Sequence, residues 1–371
     1  MKKIGWMIGI LGMLMLAGCG KETAPGAAAD GMFHSVTFGM AKTEDGIYIA
    51  NASLYFFDPE SEQYTILCSK PECKHESYST CNAKISGGNS ASLFYRDDYL
   101  YMLGTDPEKE ELCLYQIRPD GSGYETYLII AKASEGAVDA RTVCSHDAFL
   151  YFIITETFKT KKEYHLYRLE LDKNAKPEEV FSMDGGVSEL ISICSGQDGL
   201  WIQRQYYGEN ERTGSIYFLK DGKTEPELVL DQIKDCRTWG PVPSGDGFYY
   251  LSNQEIWEYQ NGTKRVLTER GKPGDTQKGL LLYQDWIFDS TGKAVNIYNK
   301  EDGACISSVD HRAVGVTSQS AMTECYLAGV DGQGLYLAVI DGSHQHSLYH
   351  MKLEEALNGG KGEWKKVLEN F

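Results

Sequence analysis

Short apolar strands recur along the chain from about residue 45 to its end, at intervals of roughly fifty residues. The first kind mostly follows an acidic or glycine-containing turn, and its seven copies occupy residues 45–49, 98–102, 149–153, 198–202, 246–250, 285–288 and 334–337. The second kind usually carries a Leu/Ile-Tyr/Trp core, and its seven copies occupy residues 54–57, 114–117, 166–169, 216–219, 256–259, 295–298 and 348–351. The pattern predicts a repeated unit with at least two strands.

The turns between these strands favour hairpins, because pairs such as Asp221-Gly222 and Asn261-Gly262 tolerate positive φ. Several units add a further apolar strand, so each unit is predicted to be an antiparallel meander of about four strands. Such a unit cannot bury its own apolar faces, whereas a closed ring of units buries them and protects the edges. We therefore predict an all-β protein, a β-propeller of about seven four-stranded blades. Six or eight blades also fit, and two stacked β-sandwiches are the competing architecture.

The N-terminal residues 1–18 have the pattern of an export signal. Lys2 and Lys3 precede an uncharged apolar run that ends at Leu16 and is shorter than the roughly 20 residues of a membrane span. The run leads into Leu16-Ala17-Gly18-Cys19, which resembles the lipobox of bacterial lipoproteins. That resemblance implies a lipoprotein signal peptide, lipidation of Cys19, and a body held on the cell membrane outside the cytoplasm. An ordinary secretory signal with a chance cysteine is the alternative.

Composition separates a tether from a folded body. Residues 19–31 are rich in small residues and lack apolar periodicity, so we predict a lipidated flexible tether there and the propeller domain in residues 32–371. The 24 tyrosines and 39 glycines beside only 10 prolines are typical of a packed sheet protein. The net charge of −17 repels phosphate backbones and anionic head groups. Nucleic acid is therefore excluded as a partner, and the lipid is the predicted link to the membrane.

A family resemblance rests on the lipobox, the tether, the repeated Asp-Gly-Leu-Tyr-like strands and the ending Trp364-Lys365-Lys366-Val367-Leu368. Together these features resemble bacterial surface lipoproteins with a degenerate β-propeller body, described as TolB-like or low-density-lipoprotein-receptor-like propellers of unknown function. The resemblance covers nearly all the mature chain. It implies a fold and a location but no activity, because propellers host enzymes, receptors and scaffolds alike.

A Cys/His-rich insertion at residues 67–83 separates the first two predicted blades. It contains Cys68, Cys73, His75 and Cys81 in the spacing Cys-x4-Cys-x-His-x5-Cys. Thiolate and imidazole are donors that zinc prefers, and a Cys₃His set closes a tetrahedral structural site. Similar Cys/His-rich runs occur in the lipoproteins that the chain resembles. We predict a structural zinc knuckle; a disulfide between two of the cysteines, or unpaired thiols, are the alternatives.

The other six cysteines of the body are scattered singly, in or beside predicted strands, and we predict that they are buried free thiols. They are Cys113, Cys144, Cys194, Cys236, Cys305 and Cys325. Cys144 and Cys194 occupy matching places in adjacent units, which is what small buried hydrophobic residues would do.

Catalytic motifs are scarce in this sequence. It has no Gly-x-Ser-x-Gly, no His-Glu-x-x-His and no phosphate-binding loop. His344 and His346 alternate in a predicted hairpin turn and are expected to be solvated, with adventitious metal binding as the alternative. Glu108, Glu110 and Glu111 fall in a polar turn with the same solvated expectation. The sequence therefore selects no catalytic residue.

Two classes of function remain. The first is a ligand-binding or protein-interaction module, in which blade loops and the central funnel present a surface to a glycan, a small molecule or a partner protein. The alternative is an extracellular carbohydrate-active or hydrolytic enzyme with its site at the funnel mouth. Clustered carboxylates with shifted pKa values at the mouth would favour the enzyme, and aromatic or neutral polar groups would favour binding.

Overall fold

The computed structural model describes residues 31–33, 39–77, 80–85, 92–106, 108–132, 142–172, 175–208, 212–236, 240–270, 277–314, 324–341, 345–360 and 362–369. The predicted signal peptide, the lipidation site Cys19 and the tether as far as residue 30 lie outside these ranges. Within them, no helix is long and apolar enough to cross a membrane.

The described residues form twenty-nine strands. After β1 (Gly31–Phe33), blade 1 contains β2 (Gly39–Lys42), β3 (Ile47–Ala50), β4 (Leu54–Asp58) and β5 (Gln63–Ile66). Blade 2 contains β6 (Ser92–Arg96), β7 (Tyr99–Asp106), β8 (Glu111–Ile117) and β9 (Glu125–Lys132), and blade 3 contains β10 (Val143–His146), β11 (Phe149–Thr157), β12 (Lys161–Glu170) and β13 (Glu178–Gly186). Blade 4 contains β14 (Glu189–Ser195), β15 (Gly199–Tyr207), β16 (Arg212–Lys220) and β17 (Glu227–Lys234).

Blade 5 contains β18 (Val242–Ser244), β19 (Gly247–Ser252), β20 (Glu255–Gln260) and β21 (Thr263–Glu269), and blade 6 contains β22 (Gln277–Tyr283), β23 (Trp286–Thr291), β24 (Ala294–Asn299) and β25 (Cys305–Asp310). A short 3₁₀ helix (His311–Val314) follows. Blade 7 contains β26 (Glu324–Asp331), β27 (Gly334–Ile340), β28 (His346–Lys352) and β29 (Lys365–Glu369), with the helix α1 (Leu353–Leu357) between the last two strands.

The seven sheets form a ring of antiparallel blades, so the predicted seven-bladed β-propeller is confirmed. The two recurrent strand patterns are the second and third strands of every blade. The second strand of a blade is more deeply buried than the outer strand. For example, β3 and β19 are buried along their whole length, whereas the outer strand β17 is mostly exposed. The strands that repeat in the sequence are therefore the two central strands of each blade.

The hydrophobic core lies between the blades. Seven clusters of buried side chains occupy the seven interfaces of the ring, one for each pair of neighbouring blades. In the cluster between blades 4 and 5, for example, Trp201 packs on Phe248 with ring centroids 4.6 Å apart. Because every blade is packed on two others, its stability depends on closure of the ring.

The seam between blades 1 and 7 closes the ring. Strands β26 to β29 of blade 7 come from the C-terminal part of the chain, and β1, which precedes blade 1, pairs with the inner strand β26 as a fifth strand of that sheet. Apolar side chains of blades 1 and 7 pack together at this seam, Phe57 and Tyr336 among them. Lys42 of β2 also forms an ion pair with the buried Asp331 of β26 at 3.0 Å.

Four of the residues that were expected to be solvated lie in the described part of the chain. His346 is not solvated, because it begins β28 and is buried, while His344 lies outside the described residues. Glu108 and Glu110 are exposed, as expected, and Glu111 is half-buried at the start of β8.

Candidate metal centre

The Cys/His-rich insertion joins blade 1 to blade 2 and is anchored at both ends. Leu67 and Ile85 are buried in the hydrophobic cluster between these blades. Within the insertion, the Ala83 carbonyl accepts a hydrogen bond from the Leu54 backbone N–H at 2.7 Å, and Ser53 forms an isolated bridge with Lys84. These contacts hold the loop to β4 independently of any metal ion.

The four predicted ligands converge. One donor atom from each of Cys68, Cys73, His75 and Cys81 lies within 4.8 Å of the other three. His75 Nδ1 is 3.3 Å from Cys81 Sγ. Around a tetrahedral zinc with Zn–S of about 2.3 Å and Zn–N of about 2.0 Å, neighbouring donor atoms are roughly 3.5–3.8 Å apart. The folded chain thus brings together all four side chains at nearly the separation that zinc requires.

Backbone conformation contributes to this convergence. His75 has a φ of 56° and Glu72 a φ of 60°, both in the left-handed region that non-glycine residues seldom adopt. Each such residue costs of order 1 kcal/mol, so surrounding interactions must hold it in place. The cross-loop hydrogen bond from Lys70 Nζ to the Thr80 carbonyl, at 2.8 Å, is one of them.

The thiols of the cluster are not equivalent electrostatically. Burial acts to raise the pKa of Cys68, but hydrogen bonds from the backbone N–H groups of Lys70 and Asn82 outweigh it, and the net pKa is lowered. Burial dominates at Cys81, whose pKa is raised. The electrostatics of the loop therefore favour ionisation of Cys68 over that of Cys81.

The insertion also contacts the β8–β9 turn of blade 2. Ser69 Oγ donates to the Gly121 carbonyl at 3.0 Å, and Asn82 Nδ2 donates to the same carbonyl at 3.1 Å. Gly121 has a φ of 80°, and a Cβ there would lie 2.9 Å from the Leu67 carbonyl. One carbonyl of blade 2 is thus bound by residues that flank Cys68 and Cys81, so the order of the loop and the docking of two blades are linked.

The donor set has the chemistry of a structural site. Four protein ligands complete a tetrahedron and leave no position for a substrate. No disulfide links any two of the nine cysteines in the described part of the chain. Cys68 and Cys73 are half-buried and His75 is also partly accessible, so a metal ion can enter from solvent.

The other six cysteines follow the prediction of burial only in part. Cys113, Cys236 and Cys325 are buried, Cys144 and Cys194 are half-buried, and Cys305 is exposed on the outer strand of blade 6, where several side chains face solvent. Cys144 and Cys194 do occupy equivalent places, since each pairs with an aromatic residue of the next strand. Burial raises the pKa of Cys144 to about 12, which keeps that thiol neutral and unreactive.

The structure also contains a second polar cluster, which the sequence alone does not reveal. At the ends of two neighbouring inner strands, His146 Nδ1 is 2.8 Å from Ser195 Oγ and His146 Nε2 is 2.9 Å from Asp221 Oδ1. Ser195 and Asp221 lie 49 and 75 positions after His146, so no local motif marks the three residues as a group. The only sequence signal is that His146 and Ser195 end corresponding strands of consecutive blades.

A third cluster lies on one face of blade 3. Glu156 and Glu163 are direct cross-strand partners, and both approach Nε2 of His165, at 4.0 and 3.8 Å. Lys161 also pairs with Glu163. The three side chains Glu156, Glu163 and His165 are close enough together to share a cation, but all are partly exposed and have polar neighbours.

Comparison with known proteins supports the fold and goes no further. No family model matches the chain, and no curated protein matches it. It is similar to the β-propeller domain of the Trilobed protease from Pyrococcus furiosus, which is described as having an open velcro topology. The two chains are 9% identical, the match covers 91% of this chain and 99% of that chain, and the TM-score is 0.51. It is also similar to Hsv2 of Kluyveromyces lactis, with 10% identity, 90% and 97% coverage, and a TM-score of 0.51. The chain shares the propeller fold with these proteins, and the likeness specifies no function.

Proposed function

We propose that this protein is a lipid-anchored extracytoplasmic propeller that binds a ligand or a partner, with blades 1 and 2 clamped by a structural zinc ion. The zinc proposal rests on one observation, the convergence of four donor atoms within 4.8 Å. The contacts of the same loop with Gly121 explain what the ion would do, because ordering the knuckle would order the junction between two blades.

The anchor proposal rests on the lipobox-like sequence that ends at Cys19. Two acyl chains hold a protein stably on a bilayer, at about 0.8 kcal/mol per buried methylene. Replacing Cys19 with serine in the full-length chain should move the protein from the membrane fraction to the soluble fraction. Retention of the Cys19→Ser variant in the membrane fraction would contradict lipid anchoring at this residue.

A binding surface is suggested by the unequal length of the blades. Strands β11 and β12 contain 9 and 10 residues, and β15 and β16 contain 9 each, compared with 6 in β19 and in β20. Three extra residues lengthen a hairpin by about 10 Å. The hairpins of blades 3 and 4 therefore extend further than that of blade 5.

Exposed apolar side chains lie at the far ends of these hairpins. We define the hairpin-end surface by Phe158, Val187 and Tyr206, which are 45%, 47% and 49% exposed. Backbone contacts place them near one another: Phe158 N–H bonds to the Lys161 carbonyl, Lys161 pairs with Gly186 beside Val187, and Tyr207 N–H bonds to the Ser188 carbonyl. Three exposed apolar residues in one region indicate a binding surface, whereas the same residues scattered singly would be ordinary.

Five charged side chains near this surface are paired with each other. Arg204 binds Glu189 at 2.6 Å, and Lys161 binds Glu163 and Asp184. A surface with aromatic rings and internally neutralised ions, on a chain of net charge −17, suits a neutral polyhydroxylated ligand better than an anionic one. We therefore propose a neutral glycan as the ligand class.

The test is a binding screen of the full-length chain in detergent against neutral polysaccharides. Substituting Phe158 and Tyr206 together with alanine should weaken binding by about ten-fold or more, because each exposed ring is lost as a stacking partner. Ile129→Ala is the matched control, since Ile129 is 52% exposed on the outer strand of blade 2. If no neutral glycan binds, or if the control loses as much affinity as the double variant, this surface is not the binding site.

The alternative function, an extracellular hydrolytic enzyme, has one specific observation in its favour. This is the hydrogen-bonded group formed by Ser195, His146 and Asp221.

A further inference from the structure

We propose that Ser195 is a nucleophile activated by His146, and that the two residues with Asp221 form a site for hydrolysis of carboxylic esters. This inference goes beyond the proposed binding function and does not depend on it. It starts from geometry: the hydroxyl, the imidazole and the carboxylate form a continuous chain of two hydrogen bonds, of 2.8 and 2.9 Å. Both distances are ideal for proton transfer between a nucleophile and its base, and for orientation of that base.

The hydrogen-bond roles follow from the partners. A carboxylate can only accept, so the neutral imidazole donates its Nε2–H to Asp221 Oδ1 and leaves an acceptor lone pair on Nδ1. Ser195 Oγ–H can then donate to Nδ1 at 2.8 Å, and its other acceptor, the Gly196 carbonyl, is further away at 3.4 Å. Asp221 thereby holds the tautomer in which His146 can remove the serine proton. The two ring nitrogens exchange the roles they have in serine proteases, but the relation of nucleophile, base and orienting acid is retained.

Burial differs among the three residues. His146 is 3% exposed, whereas Ser195 is partly exposed at the last residue of β14 and the Asp221 side chain is 43% exposed. Ser195 is therefore accessible from solvent, while the imidazole of the base is shielded from water. The contacts also cross a blade interface, because His146 ends β10 of blade 3 and both partners belong to blade 4.

The balanced reaction is ester hydrolysis through an acyl-serine. Ser195 Oγ bonds to the ester carbonyl carbon while its proton passes to His146 Nδ1, and the alcohol leaves with that proton when the ester C–O bond breaks. A water molecule then attacks the acyl carbon and gives a proton to Nδ1. The carboxylic acid departs, and the proton returns to Ser195 Oγ. No reactant other than the ester and water is needed.

Charge around the site limits the substrate class. Asp147 Oδ2 is 3.7 Å from His146 Nε2, and the Asp221 backbone N–H is bonded to the carbonyl of exposed Asp198. An anionic ester would be repelled by these carboxylates, on a chain whose net charge is already −17. The site therefore fits neutral or cationic esters.

The experiment treats the full-length chain in detergent with a fluorophosphonate probe and maps the label by mass spectrometry. The serine oxygen should bond to phosphorus with loss of fluoride, which places the label on Ser195 and is blocked by Ser195→Ala. Ser145→Ala is the matched control, because Ser145 is also partly exposed and is adjacent to His146. Asp221→Asn should slow labelling at least ten-fold, because the amide can donate to Nε2 and stabilise the wrong tautomer.

Hydrolysis of a neutral p-nitrophenyl ester provides a second readout, which should be lost in Ser195→Ala and retained in Ser145→Ala. Thermal unfolding of each variant separates catalysis from folding, since the group also joins two blades. A wild-type chain that is folded but unlabelled at Ser195 would overturn the proposal and leave the three residues as a contact between blades. Equal ester hydrolysis by wild type and Ser195→Ala would overturn it as well.

Discussion

Replacing Cys73 with serine is expected to reduce bound zinc from about one ion per chain to nearly none. A serine hydroxyl is a poor ligand for zinc, so the remaining donors Cys68, His75 and Cys81 would hold the ion far more weakly. Cys73 is the best position for the test because it is only half-buried, unlike Cys81, so the packing of the loop is disturbed least. Metal analysis by mass spectrometry, together with thiol counting, measures the effect on protein purified without chelator.

Cys305→Ser is the matched control, because Cys305 is an exposed thiol that belongs to no cluster of metal-binding side chains among the described residues. It should leave zinc content and thermal stability unchanged. A wild-type protein without metal but with two protected cysteines in residues 68–81 would show that the loop is closed by a disulfide, contrary to the zinc proposal.

A glycine pair tests the knuckle without altering a ligand. Gly121→Ala should weaken zinc retention against a chelator, since the new Cβ would lie 2.9 Å from Leu67 and 3.0 Å from the Cys68 nitrogen. Gly123→Ala carries the same left-handed strain, with a φ of 68° against 80°, but its Cβ would approach only the Arg118 side chain at 3.9 Å. A difference between the two variants measures the steric link between blade 2 and the metal site, and identical zinc retention would contradict that link.

The second large effect is expected at the seam that closes the ring. Asp331→Ala should destabilise the protein by about 3–5 kcal/mol, the usual cost of removing one partner from a buried ion pair. Its carboxylate accepts hydrogen bonds from the Gln333 and Gly334 backbone N–H groups at 2.9 Å and pairs with Lys42 at 3.0 Å. All three donors lose that partner in the variant, at the seam between blades 1 and 7. Chemical denaturation of wild type and variant measures the change.

Asp285→Ala is the control for the seam, because Asp285 pairs with Lys300 at nearly the same distance, 2.9 Å, but is 68% exposed. A surface pair of this kind contributes about 0–1 kcal/mol. Because the two ion pairs have nearly the same distance, the difference in destabilisation between the two variants measures the effect of burial. If both variants lose less than about 1 kcal/mol, the Lys42–Asp331 ion pair has no special part in ring closure, which the other contacts between blades 1 and 7 then maintain.

Tyr336 reports on the same seam. It is fully buried, and burial, followed by the nearby Asp331 carboxylate, raises the pKa of its phenol well above the usual range. The phenol therefore stays neutral and donates to Asp331 at 3.4 Å. Loss of Asp331 leaves this hydroxyl without that acceptor, which adds to the expected destabilisation.

Local patterning was enough to predict the blades but not the whole of each blade. The second and third strands were predicted in all seven units, because they are the most apolar strands and follow turns with strong acidic or glycine signals. Some inner strands, such as β18 with 3 residues, are too short to show an alternating pattern. Outer strands such as β9 face solvent over much of their length, so hydrophobicity marks them weakly.

By itself, the amino-acid sequence determined the repeat, the all-β class, the approximate blade number and the Cys/His set at residues 68–81, because each of these is written in nearby residues. Tertiary structure alone decided how the ring closes, since Lys42 and Asp331 are distant in sequence and meet only after seven blades have formed. It also decided the burial of His346 and the grouping of Ser195 with His146 and Asp221, which come from different blades. Contacts of this kind depend on the packing of one blade on the next, and no periodicity along the chain encodes them.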